Sequence, residues 1–104
     1  MTLSKFSNAL KAASHETTRL MSARLRSEAQ ASGWPSEVSR TLRVTHGKSG
    51  FEAHVSKKHY EKALDLEYGT PDTQPTAAVR RLKNRQAEAE HFFLGRLEKH
   101  FGDL

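Results

Sequence analysis

Apolar residues recur at three- and four-residue steps through the first thirty positions: Leu3, Phe6, Leu10, Ala13, Thr17, Leu20 with Met21, and Leu25. That spacing places them on one stripe of a helix, and neither proline nor glycine interrupts residues 3–32. Lys5, Lys11, Glu16, Arg19, Arg26 and Glu28 fall mostly off the stripe, as a solvated face requires. Gly33-Trp34-Pro35 predicts the end of the helix, because glycine takes the left-handed cap and proline cannot continue it. From Val38 the period falls to two. Val38, Leu42 and Val44 alternate with polar residues, and after His46-Gly-Lys-Ser-Gly50 the alternation resumes at Phe51, Ala53 and Val55. This predicts a β-hairpin with one wet face and a loop longer than two residues. Lys57 to Lys62 reads as a polar connector with a short helical turn.

The next stretch, Leu64 to Ala78, organises the rest. Leu64, Leu66 and Tyr68 alternate with Asp65 and Glu67, which predicts a third, half-buried antiparallel strand. Gly69 can take a positive φ and Thr70 is held extended by Pro71, so the strand stops there. Residues 71–75 read as a turn, with Asp72 or Thr73 as a helix cap and Pro75 in the first turn of a helix over 76–101. Val79, Leu82, Gln86, Ala89, Phe93 and Leu97 form the stripe of that helix, thickened by Phe92, Leu94 and Phe101. Phe92, Phe93 and Phe101 either close the core against the first helix or form a docking patch. Arg80, Arg81 and Arg85 sit in the early turns, where positive charge opposes the helix macrodipole, so they are not there for helix stability. The expected architecture is α+β in one domain: an N-terminal helix (1–33), a three-stranded sheet (36–70), a turn (71–75) and a long C-terminal helix packed on the sheet.

Composition narrows the function. A chain of 104 residues supports one modest core, and 36% apolar against 28% charged residues is polar for a compact globule. A partner or further copies would complete such a surface. The net charge of +5 and pI near 9.8 favour anionic contacts. With no cysteine, disulfides and thiolate metal sites are excluded. The six histidines show no helical i, i+4 pair, and only His46 and His54 could meet across the hairpin, so no metal site is expected. No serine stands in a nucleophile elbow, and His46 to Gly50 lacks the spacing of a phosphate loop. Glu67 has no partner acid or base and is expected to accept hydrogen bonds from nearby turn amides. The sequence therefore implies no catalytic residue, no cofactor and no enzyme activity. It shows neither a secretion signal nor an apolar run that could span a bilayer.

The order of elements, with Ala63, the Glu67-Tyr68-Gly69-Thr70 signature, Pro75 and Ala78, resembles the tail-completion, or neck, family of head-to-tail joining proteins in long-tailed bacteriophages. Thr76 and Ala77 stand where that family usually carries an aromatic residue and a leucine. The resemblance implies a structural virion protein, made in the host cytoplasm, whose copies form a ring, expected as a hexamer. That ring would contact other neck, connector and tail proteins, pass the genomic DNA through its lumen and touch no membrane. Its interface is expected at the 67–75 loop with Arg80, Arg81, Arg85, Phe92 and Phe93. The alternatives are a small basic nucleic-acid-binding module, for the clusters at Arg19-Arg24-Arg26 and Arg80-Arg81-Lys83-Arg85, and a tail terminator.

Overall fold

A computed structural model of the chain describes residues 3–48, 50–70, 76, 78–83 and 85–102. It is α+β and mostly helical: α1 (Leu3–Ala31), α2 (Ser36–Ser39), β1 (Arg43–Gly47), β2 (Gly50–His54), α3 (Tyr60–Tyr68, preceded by a 3₁₀ turn at Lys57–His59), α4 (Ala78–Lys83) and α5 (Gln86–Gly102). Helix α1 forms as its periodicity requires and buries Ala9, Ala13, Thr17, Met21, Leu25 and Ala29, one residue per turn. A Schellman motif ends it: the Trp34 amide donates to Ala29 O at 3.0 Å and the Gly33 amide to Gln30 O at 3.0 Å. Gly33 holds φ at +89°, a conformation that costs other L-residues a clash between Cβ and backbone.

Strands β1 and β2 pair antiparallel, with Val44 opposite Ala53 and His46 opposite Phe51. The hairpin lies against α1, where Ser22 Oγ accepts the Val44 amide at 2.8 Å, so a helix side chain satisfies a backbone group that strand pairing leaves open. The core gathers Met21, Leu25 and Ala29 with Trp34, Val38, Leu42, Val44, Ala63, Ala78 and Ala89. Helix α5 runs antiparallel along α1, tied by Arg24 to Glu88 at 3.0 Å and by Glu16 to both Arg96 and His100. The molecule is long, 57 × 24 × 22 Å, with a radius of gyration of 16.0 Å. A compact domain of this length would have about 13 Å. Among the described residues no helix is long and apolar enough to cross a membrane.

Four sequence expectations are corrected. The third strand is absent among the described residues, because Leu64 to Tyr68 belongs to α3 and the sheet has two strands. Ala63, Leu66 and Glu67 turn inward on this helix, whereas Leu64 and Tyr68 face out. Five alternating residues are too few to fix a period when strong helix formers surround them. Val38 lies in α2 rather than in the first strand, the Val38 and Ser39 amides both donating to Pro35 O. Residues four apart, such as Val38 and Leu42, share a face in either periodicity, so their pattern could not separate helix from strand. The hairpin connection is shorter than expected: Gly47 pairs with Gly50, leaving two residues between the strands. Finally, the helix expected over 76–101 divides into α4 and α5. The 71–75 turn, with Pro75, lies outside the described residues.

Candidate functional site

The residues of the Glu67 signature converge on the junction of α3, α4 and the end of α1. Glu67 ends up buried, 4% exposed, despite its charge. Its carboxylate accepts the Val79 amide at Oε1 (2.9 Å) and the Arg80 amide at Oε2 (2.8 Å). These are first-turn donors of α4, which have no partner inside the helix, and the carboxylate also meets the positive end of the helix dipole. The Arg80 guanidinium returns to the same residue, donating from Nη2 to Glu67 O at 3.1 Å, with Nε 3.6 Å from Oε2. It also covers the Tyr68 ring at 4.8 Å. The expectation that Glu67 accepts amides thus holds, although the donors come from the next helix.

A second set of bonds closes the same junction. Thr76 donates from its amide (2.9 Å) and its hydroxyl (2.7 Å) to Leu66 O, and the Trp34 indole N–H donates to Thr76 Oγ1 at 2.7 Å. Arg81 bonds Glu28 Oε1 at 2.7 Å and also reaches Ser32 Oγ and Thr76 O. The chain leaves α3 at Gly69, with φ 79° and ψ 173°, a region open essentially to glycine alone. The described residues on either side of 71–75 are therefore tied to one another: Leu66 to Thr76, and Glu67 to Val79 and Arg80.

The other expected site residues lie apart from this knot. Ala78 is fully buried as the first residue of α4. Arg85 pairs with Glu88 at 3.7 Å. Phe92 and Phe93 are half-buried, Phe92 beside Leu20 and Arg24, and Phe93 edge-on to His46 and Phe51. Neither is a bare patch. Since Arg80 and Arg81 bind α4 to α3 and α1, reversing their charge would loosen the fold as well as any contact between copies. No site role was expected from the sequence for Trp34, Thr76, Glu28 or Ser32. The signal available was weak: one tryptophan at a helix end and one threonine after a proline.

Outside the knot, α3 exposes Tyr60 (56%), Leu64 (39%) and Tyr68 (59%) at positions i, i+4 and i+8, a single outward stripe that ends beside Gly69. An apolar hollow of 420 Å³ between the hairpin and α5 has Glu52 as its only titratable lining residue among those described. His46 and His54 stand near opposite ends of the hairpin ladder, and no group of three metal-ligating side chains occurs among the described residues. Compared with protein-family models, curated proteins and solved structures, the chain matches none.

Proposed function

We propose that this chain is a structural protein of the phage neck, assembling with its own copies into a ring at the head-to-tail joint. The observation that carries this is the α3 stripe, Tyr60, Leu64 and Tyr68, ending beside Gly69 at the junction tied by Glu67, Thr76 and Arg80. Exposed apolar side chains aligned on one helix mark a surface that another protein covers. Where that surface meets a different patch on the neighbouring copy, the contact is head-to-tail, and such contacts form a ring when the rotation between copies closes. The long, thin molecule and the resemblance of its Glu67-x-Gly69-Thr70 signature support the same reading.

Replacing Leu64 by Asp in the genome that encodes the chain tests it. The isolated variant should keep its circular dichroism and melting temperature, since Leu64 is exposed, while electron microscopy should show heads and tails left unjoined. Normal particles, or wild-type particles in which the chain is absent from the joint, would overturn the proposal.

A further inference from the structure

We infer that the base of the hairpin is a binding site for the phosphodiester backbone of nucleic acid, formed by Arg43, Lys57 and Lys58 with Tyr60 at its side. These four residues line one hollow of about 640 Å³ with Val55, Ser56 and Glu61. The fold accounts for most of the arginines elsewhere: Arg24, Arg80, Arg81, Arg85 and Arg96 are paired with carboxylates, and Arg26 donates to Leu42 O. In the arginine-rich segments prominent in the sequence, Arg24, Arg80, Arg81 and Arg85 are thus engaged within the chain, with Arg24 and Arg85 sharing the Glu88 carboxylate. Arg43, Lys57 and Lys58, by contrast, are exposed and have no ion pair among the described residues. Against them the hollow sets one carboxylate, Glu61.

Stability does not explain this placement. Lys57 and Lys58 occupy the first turn of the helical segment that continues as α3, where positive charge opposes the macrodipole. Ser56, at the cap position, makes no side-chain cap bond, and its Oγ is buried with no hydrogen-bond partner. Three exposed cations without an ion pair among the described residues suit a ligand made of acceptor oxygens, and phosphate is such a ligand. The exposed Tyr60 ring adds a surface on which a base can stack, which distinguishes a nucleic-acid strand from a simple anion. In sequence the aromatic residues looked separate from the basic clusters; folding brings Arg43 from β1 beside Tyr60 of α3. The site stands on this geometry in the free chain and does not need the ring.

The test is binding of the purified full chain to a fluorescein-labelled 20-nucleotide single strand, and to its duplex, measured by anisotropy across a salt series. Wild type should bind, with log K falling linearly in log salt. R43A/K57A/K58A should lower the magnitude of that slope by about 2 on the single strand and about 3 on the duplex, from roughly 0.7 and 0.9 for each phosphate that is no longer neutralised. K11A/R19A/K99A, which removes equal charge from positions outside the hollow, should leave the slope nearly unchanged. Y60A should weaken the single strand by roughly fivefold or more, as loss of about 1–3 kcal/mol of stacking implies. Absence of salt-dependent binding, equal losses in the two triple variants, or binding to anionic vesicles without binding to either oligonucleotide would each overturn the inference. None of these results depends on particle assembly.

Discussion

At the scale of single residues, a buried carboxylate holds the junction together. Glu67 occupies a position that charge alone would assign to solvent, and it is stable there because two amide donors and the Arg80 guanidinium meet it. Removing it strands the Val79 and Arg80 amides at a helix end. Glu67→Ala should cost roughly 2–3 kcal/mol, since each buried donor left without a partner costs about 1–3 kcal/mol and solvent will reach part of the site. Glu67→Gln should recover less than half of that, because its amide nitrogen would point a donor at a donor. Urea unfolding followed by circular dichroism measures both, and an alanine variant as stable as wild type would show that the junction does not depend on this clasp. Sequence alone indicated that Glu67 accepts amides; it could not indicate which, because the donors lie twelve and thirteen residues further on.

At the scale of elements, ends were more legible than interiors where glycine and proline mark them. The Schellman motif at Gly33 follows from local chemistry, since no other residue accepts φ +89° without strain. A Cβ added at Gly33 or Gly47 would meet nothing within 4 Å, but only Gly33 has the positive φ. Gly33→Ala should therefore lower the melting temperature by about 4–8 °C, corresponding to roughly 1 kcal/mol, whereas Gly47→Ala should change stability by less than about 0.5 kcal/mol. Equal effects in a thermal melt would remove backbone strain as the cause. Periodicity was decisive over the 29 residues of α1 and misleading over the five of Leu64 to Tyr68. In that short window a strand pattern and the outward stripe of a helix contain the same residues, Leu64 and Tyr68.

At the scale of the whole molecule, α1 and α5 are held by ion pairs along their length, and one of these couples the pair to pH. The hydrogen bond from Arg96, with a further one from His100, holds Glu16 at a pKa of about 2 rather than 4.5, against the opposing effect of desolvation. Because the folded value is depressed, the contribution of Glu16 is complete above about pH 4.5 and is lost as pH falls toward 2. The pair is partly exposed, which screens the effect. Glu16→Gln should accordingly be less stable than wild type at pH 6, with the difference shrinking steadily below pH 4.5 and nearly gone at pH 2. A difference that stays constant across that range, measured by urea unfolding, would assign the loss to packing instead. The same pairing occupies Arg24 of α1 and Arg96 of α5, whereas Arg43, Lys57 and Lys58 around the hairpin base, where the nucleic-acid site is inferred, make no ion pair among the described residues.

Sequence by itself determined the first helix and its glycine stop, a hairpin with one wet face, and the importance of the segment around Glu67, since each rests on interactions within a few residues or on a long repeat. Tertiary structure decided the rest: whether Leu64 to Tyr68 is strand or helix, which amides Glu67 receives, which cations are consumed in ion pairs, and that Arg43 stands beside Lys57, Lys58 and Tyr60. Local pattern fixes which side chains share a face, whereas only packing fixes what that face meets, and the meaning of a charge or an aromatic ring depends on its neighbours across the fold.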